Sequence, residues 1–162
     1  MLGPGSWFTS VIPHVLVPGL AAALKTTPAR RALVLNLAAE PGETAGFSAE
    51  RHLHVLAQHA PGLTVHDIIV DAGRVPSERE RDQLRRTAAL LEASVNFADI
   101  SRPGTPLHDP AKLAAALDGV RSRGMGASTI TVPTAAPVEA GPQPGRVRRL
   151  TGDGPRGDDP WR

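Results

Sequence analysis

The chain has 162 residues and a net charge of +2, enough length for one domain with a real core. It contains no Cys, which excludes a disulfide scaffold and a Cys-based zinc site. Its pI of about 9.9 overstates its basicity: with no Tyr and only Lys25 and Lys112, little titrates between about pH 7 and 10, so the pI implies no general affinity for nucleic acid.

The chain opens "MLGPGSWFTSVIPHVLVPGLAAAL". The apolar part is interrupted by Pro13 and Pro18 and falls short of the roughly 20 residues that span a bilayer. With no basic segment before an apolar run, no signal peptide is expected. From about Arg31, apolar β-rich runs alternate with helical patterns. "ALVLNLA" (32–38) predicts a strand buried on both faces. "FSAERHLHVLAQHA" predicts a helix capped by Ser48 and ended by Pro61-Gly62. "TVHDIIVDA" (64–72) is a second strand, "SERERDQLRRTAALLEA" a second helix with an apolar seam at Leu84, Ala88 and Leu91, and "SVNFADIS" a third strand. "HDPAKLAAALDGVRSR" is a third helix, with Asp109 at the N-cap and Pro110 at the first position. Beyond about Ser128 the chain is rich in Pro, Gly and charge and poor in large apolar residues. A disordered tail over 128–162 is expected there, with "STITVP" as an alternative edge strand.

Strands alternating with helices predict a Rossmann-like α/β fold of three layers around a mostly parallel sheet. Ligands in such folds sit at the carboxyl ends of the strands, so the loops leaving the strands carry the interest: "GPGSWFTS", "AAEPGETAGFS", "DAGRVPSE" and "SRPGTPLHD". In the first, Gly3 and Gly5 permit sharp turning and close approach, with Pro4 between them; Ser6, Thr9 and Ser10 offer hydroxyls, and a following helix would present its positive end to an anion. The same residues equally describe a Gly-Pro loop with a capping serine. In the second, Asn36 lies in the strand before the loop, and Glu40, Glu43 and Thr44 surround the Pro41-Gly42 turn. A carboxylate there can accept ribose or sugar hydroxyls, or hold Mg2+ together with a phosphate; a polar turn and helix cap need no ligand.

His52 and His54 point about 200° apart on their helix and cannot chelate one metal. His52, at the edge of the apolar face near the loop, is the best histidine for a site contact, against the plainer reading of a boundary residue. The charges of "SERERDQLRR" read as a solvated helix face stabilised by pairs three and four residues apart. No aromatic platform for single-stranded nucleic acid is present, and no catalytic triad or carboxylate pair is identifiable.

Taken together, "LGPGSWFTSVIPHVLVPGL", "NLAAEPGETAGFSAERHL" and "HDPAKLAAAL" resemble the YvcK-type gluconeogenesis factors, within the wider superfamily of CofD, the 2-phospho-L-lactate transferase. The resemblance covers roughly residues 1–122. It implies a cytoplasmic protein that binds UDP-N-acetylglucosamine and acts as a regulator of gluconeogenic growth, cell-wall precursor balance and cell shape, rather than an enzyme. The alternative is a CofD-like transferase of a phosphate-linked group. Gly3, Pro4, Gly5, Ser6, Thr9 and Ser10 match one family segment, Pro41, Gly42, Glu43 and Thr44 another, and His52 the family's helix histidine; Asn36 and Glu40 complete the candidate ligand-binding set. Four positions depart from the pattern: His14 for Asn, Ala39-Glu40 for Thr-Gln, and Leu107 for Arg. The family's glycine-rich loop of GGGTG type is not in the sequence, which implies that residues 1–127 are the C-terminal part of a family domain and that the chain is a truncated form. Expected partners are the nucleotide sugar, a Ser/Thr kinase acting on Thr129, Thr131, Thr134 or Thr151, and a second copy in a homo-oligomer. Mg2+ is the one further cofactor considered.

Overall fold

The computed structural model describes residues 1–124. The expected tail, the "STITVP" strand and the four candidate threonines lie outside them. An opening π-helical turn, Trp7–Val11, leads into α1 (Pro13–Leu16) and α2 (Pro18–Thr26). There follow β1 (Ala32–Val34), α3 (Ala49–His59), β2 (Asp67–Asp71), α4 (Glu78–Ala88), β3 (Ser94–Ala98) and α5 (Pro110–Gly124). The sheet has the order β1-β2-β3 and all its pairs are parallel, Ala32 opposite Asp67 and Asp67 opposite Ser94. Leu2 adds a parallel bridge to Leu33, donating to the Ala32 carbonyl at 2.8 Å and accepting from the Val34 amide at 3.0 Å.

Alternation along the strands assigns the two faces. Leu33, Leu35, Ile68 and Val70 meet Leu53 and Leu56 of α3, Leu84 of α4, and Trp7 and Val11 of the opening turn. Val34 and Ile69 point the other way, toward Val120, Leu113 and Leu117 of α5. The result is the expected three-layer α/β fold. β2, buried along its whole length, excludes water from its ladder, and each fully buried Leu or Ile contributes roughly 1.5–3 kcal/mol by leaving water.

The elements end where side chains offer the backbone a better partner. Ser48 caps α3, its Oγ accepting from the Arg51 amide at 3.1 Å. Ser77 and Glu80 form a reciprocal capping box at the start of α4. Asp109 caps α5 by accepting from the Ala111 and Lys112 amides at 2.9 and 3.1 Å. The strands are shorter than the sequence suggests. β1 stops at Val34, Leu35 makes one more bond to the Ile69 carbonyl, and Asn36 lies beyond the strand rather than in it. The opening helix is also divided: Pro13 and Pro18 each start a new segment, and Trp7–Leu16 and Pro18–Thr26 are bent by 80°. No helix among the described residues is long and apolar enough on its own to cross a membrane.

The charged face of α4 is only partly solvated. Arg85 pairs with Glu78 at 2.6 Å and Asp82 at 2.7 Å, while the Arg81 and Arg85 guanidinium groups lie 5.0 and 5.3 Å from the centre of the Phe97 ring on β3.

One buried carboxylate ties the carboxyl ends of two strands. Asp71, 5% exposed at the end of β2, accepts from Gly73 N at 3.0 Å and from Ile100 N, beyond β3, at 3.0 Å. Asp71→Ala leaves both donors unsatisfied and is expected to lower stability by roughly 2–3 kcal/mol. Urea unfolding should show a lower midpoint at unchanged slope, with a smaller loss for Asp71→Asn, which keeps one acceptor oxygen.

Candidate functional site

The first and second candidate loops meet over the carboxyl end of β1. Leu2 is held beside Leu33, and the chain then turns sharply at Gly3. Gly3 has φ +65°, and a Cβ placed there would lie 2.6 Å from the Val34 carbonyl oxygen. Only glycine lets the loop cross the strand end this closely. Gly5 donates its N–H to Asn36 Oδ1 at 2.8 Å, which turns the Asn36 side chain toward the opening loop. Ser6 donates its hydroxyl to the Glu43 carboxylate at 2.5 Å, and Thr9 donates to Ser6 Oγ at 2.5 Å. A relay of hydroxyls thus runs Thr9 to Ser6 to Glu43 and joins segments 37 residues apart.

Within the second loop Thr44 has a structural role. It is buried, its hydroxyl accepts from the Glu40 amide at 2.8 Å, and its own amide donates to the Glu40 carbonyl at 2.9 Å. Glu40, Pro41 and Gly42 are exposed on the turn, and Ser10 is exposed at the far side of the opening loop.

Two clefts flank the segment from Asn36 to Ala39. One, of about 560 Å³, lies between the ends of β1 and β2 and is lined by Leu35, Phe47, His52, Arg74 and Gln83 among others. The other, of about 580 Å³, is lined by Pro4, Gly5, Glu40, Pro41, Leu107 and His108 together with that segment. Each has the size of a small-molecule site. Asn36 borders both.

His52 belongs to the first cleft and is buried, 6% exposed, rather than at a boundary. Its ring lies edge-on to Trp7 at 5.0 Å and to Phe47 at 5.4 Å. Nδ1 sits 2.8 Å from the Ser48 carbonyl, which makes it the protonated nitrogen of the neutral ring and leaves Nε2 a lone-pair acceptor with no partner among the described residues. Burial pushes the His52 imidazole below its ordinary value of 6.5, while the Ser48 hydrogen bond works in the opposite direction.

The structure therefore brings together Gly5 with Asn36, Ser6 with Thr9 and Glu43, and Glu40 with Thr44, and it sets His52 across the strand end from them. Several lining residues lie outside the set expected from the sequence, Arg74 and His108 among them. Arg74 comes from "DAGRVPSE", a loop marked by its place after a strand, although nothing singled out that residue. His108 pairs its backbone with Ser101, and its Nε2 is buried without a partner among the described residues. The helix-dipole expectation for the opening loop is altered, since the loop runs into a five-residue π turn rather than a regular helix. Among the described residues no three His, Cys, Asp or Glu side chains converge to hold a metal ion. Glu43 with the Ser6 hydroxyl supplies oxygen donors suited to Mg2+ only where phosphate oxygens complete the shell.

A family profile described as 2-phospho-L-lactate transferase CofD matches residues 1–106, the span that holds both loops, the two clefts' shared segment and the sheet. The chain belongs to the CofD family. It is 73% identical over all 162 residues to a protein of Mycobacterium tuberculosis (strain CDC 1551 / Oshkosh) provisionally named a gluconeogenesis factor, and spans 44% of that protein's length. A Bacillus subtilis (strain 168) gluconeogenesis factor is 33% identical over 95 residues, 59% of this chain and 30% of that protein. A crystal structure of a UPF0052-family protein from Bacillus halodurans superposes with a TM-score of 0.56 at 28% identity, covering 72% of this chain and 41% of the other. The chain thus spans less than half the length of these relatives.

In this CofD-family chain the histidine environments predict a direction for stability. His66 is also lowered below 6.5, by burial first and then by the Arg31 and Arg30 charges, and its Nδ1 accepts from the Arg31 amide at 3.0 Å. For both His52 and His66 the unfolded chain takes up protons first as pH falls. The stabilisation is fully present above pH 6.5 and is lost as pH falls through the folded values. Proton NMR titration should place both rings below 6.5, and thermal unfolding should show a midpoint that falls from pH 7.5 to pH 5.5; a His52 value above 6.5 would contradict the buried neutral ring.

Proposed function

We propose that the chain carries part of a nucleotide-sugar site, for UDP-N-acetylglucosamine, in a cytoplasmic regulatory protein linked to gluconeogenic growth, cell-wall precursor balance and cell shape. The observation that supports this most directly is the joining of the two loops over β1, Gly5 to Asn36 and Ser6 to Glu43, beside two clefts of ligand size. Main-chain and hydroxyl groups of the Gly3–Ser10 loop would face phosphate, and the Asn36–Thr44 segment would face sugar. Mg2+ would enter with the phosphates, since Glu40 and Glu43 are the only charged side chains on the two segments. The gluconeogenesis-factor names of the relatives favour a regulator. The family description keeps a second reading, transfer of a phosphate-linked group.

Because the chain spans 44% of its 73%-identical relative, this reading assigns it part of the site, with the 162-residue chain binding less tightly than the longer relative. Isothermal titration of UDP-N-acetylglucosamine is expected to give binding to the full-length relative and at least tenfold weaker binding to the 162-residue chain. Equal affinities would show that the chain's own loops form the whole site. Labelled product from a nucleotide-activated donor and an acceptor, formed by the full-length protein, would favour the transferase.

A further inference from the structure

We propose that Glu43 is an internal competitor for the ligand's phosphate, so that binding releases the Glu40–Phe47 loop from the opening loop; this rests on the nucleotide-sugar reading above. Three donors that a phosphate could use on the opening loop are already engaged within the chain. Ser6 gives its hydroxyl to Glu43, Thr9 gives its hydroxyl to Ser6, and Gly5 gives its amide to Asn36. A carboxylate is an anion with two acceptor oxygens, and here it takes the hydroxyl that a phosphate oxygen would take.

The charge balance sharpens the conflict. Residues 3–10 and 36–47 contain no Lys or Arg, and their only charges are Glu40 and Glu43. With no Mg2+ between them, a phosphate on Ser6 would sit within a few ångströms of the Glu43 carboxylate, an arrangement that Coulomb repulsion opposes. In the metal-free chain, ligand and Glu43 therefore compete for the Ser6 hydroxyl.

The loop that Glu43 belongs to is built to leave. Its tip is exposed, Gly42 and Gly46 have φ +78° and +76°, and neither would meet another atom within 4 Å of an added Cβ. Two contacts tie it to the opening loop: Ser6 to Glu43, and the edge-on Phe8–Phe47 pair at 6.1 Å. Behind Phe47 stand the buried His52 and, 4.7 Å from the Phe47 ring centre, the Arg51 guanidinium. Loss of the first tie leaves one aromatic contact, and the displacement passes through Phe47 to the start of α3. In a regulator, this is a route from an occupied site to an altered surface.

The test is hydrogen exchange of the 162-residue chain in Mg2+-free buffer with millimolar UDP-N-acetylglucosamine, read at residues 3–10 and at the Glu43, Thr44 and Phe47 amides, which are bonded to Glu40 and Thr44 carbonyls at 2.9–3.1 Å. The expected result is protection of 3–10 with faster exchange at the three loop amides. Glu43→Gln should show the faster loop exchange without ligand and should bind roughly tenfold more tightly, the scale of one charge-assisted hydrogen bond. Ser6→Ala should loosen the loop equally without any gain in affinity, because it removes the contested donor. Protection of both loops, or a Glu43→Gln protein that binds no tighter than the parent, overturns the competition while leaving the site reading intact. No change at either loop in parent or variant overturns the site reading, and the competition with it.

Discussion

The candidate site depends on the parallel seating of Leu2 against β1. Two backbone hydrogen bonds, to Ala32 and from Val34, fix the direction in which the chain arrives. Gly3 then has to pass over the Val34 carbonyl at a distance no side chain permits. That passage places Gly5 opposite Asn36 and Ser6 opposite Glu43. Neither contact could form if the opening segment left the sheet at another height. The loops hold their own turns with internal bonds, but their placement against one another is inherited from the strand pair beneath them.

Much of the architecture was legible because it rests on periodicity and end signals. The helix over Ala49–His59 with Ser48 at its cap, and the Asp109-Pro110 start of α5, follow from residue type and spacing alone. The seam Leu84, Ala88 and Leu91 is buried as its spacing implies. Strand ends were not legible. "ALVLNLA" is uniformly apolar apart from Asn36, and nothing in the run says that Asn36 will leave the ladder to meet Gly5. The Ser77–Glu80 box was open to reading as serine followed three residues later by glutamate. The same segment's arginines were read as a solvated face because charge patterning along one helix says nothing about a phenylalanine on a neighbouring strand.

The site was legible as two loops but not as a joined pair. Sequence places Ser6 and Glu43 on loops that leave neighbouring strand positions; it does not say that one will donate to the other. His52 shows the same limit. Its helical position put it at the edge of the apolar face, whereas packing by Trp7 and Phe47, brought in from two other segments, buries it. Thr44 is buried with its hydroxyl on the Glu40 amide, a partner four residues away that its place in the family segment does not specify. Local chemistry identifies which residues are capable of a contact, and long-range folding decides which of them make it.

The arginines over Phe97 make the two sides of the sheet unlike in charge. β3 is an outer strand, yet Arg81 and Arg85 lie over its aromatic residue and Arg123 bonds to the Asn96 side chain. Charged groups along an edge make it a poor template for another chain's backbone. The opposite margin, where Leu2 already lies parallel to β1, carries no such guard in its sequence: the chain from Met1 to Leu24 has no charged side chain. Charged side chains thus gather on the β3 side of the sheet, while the segment on the Leu2 side carries none.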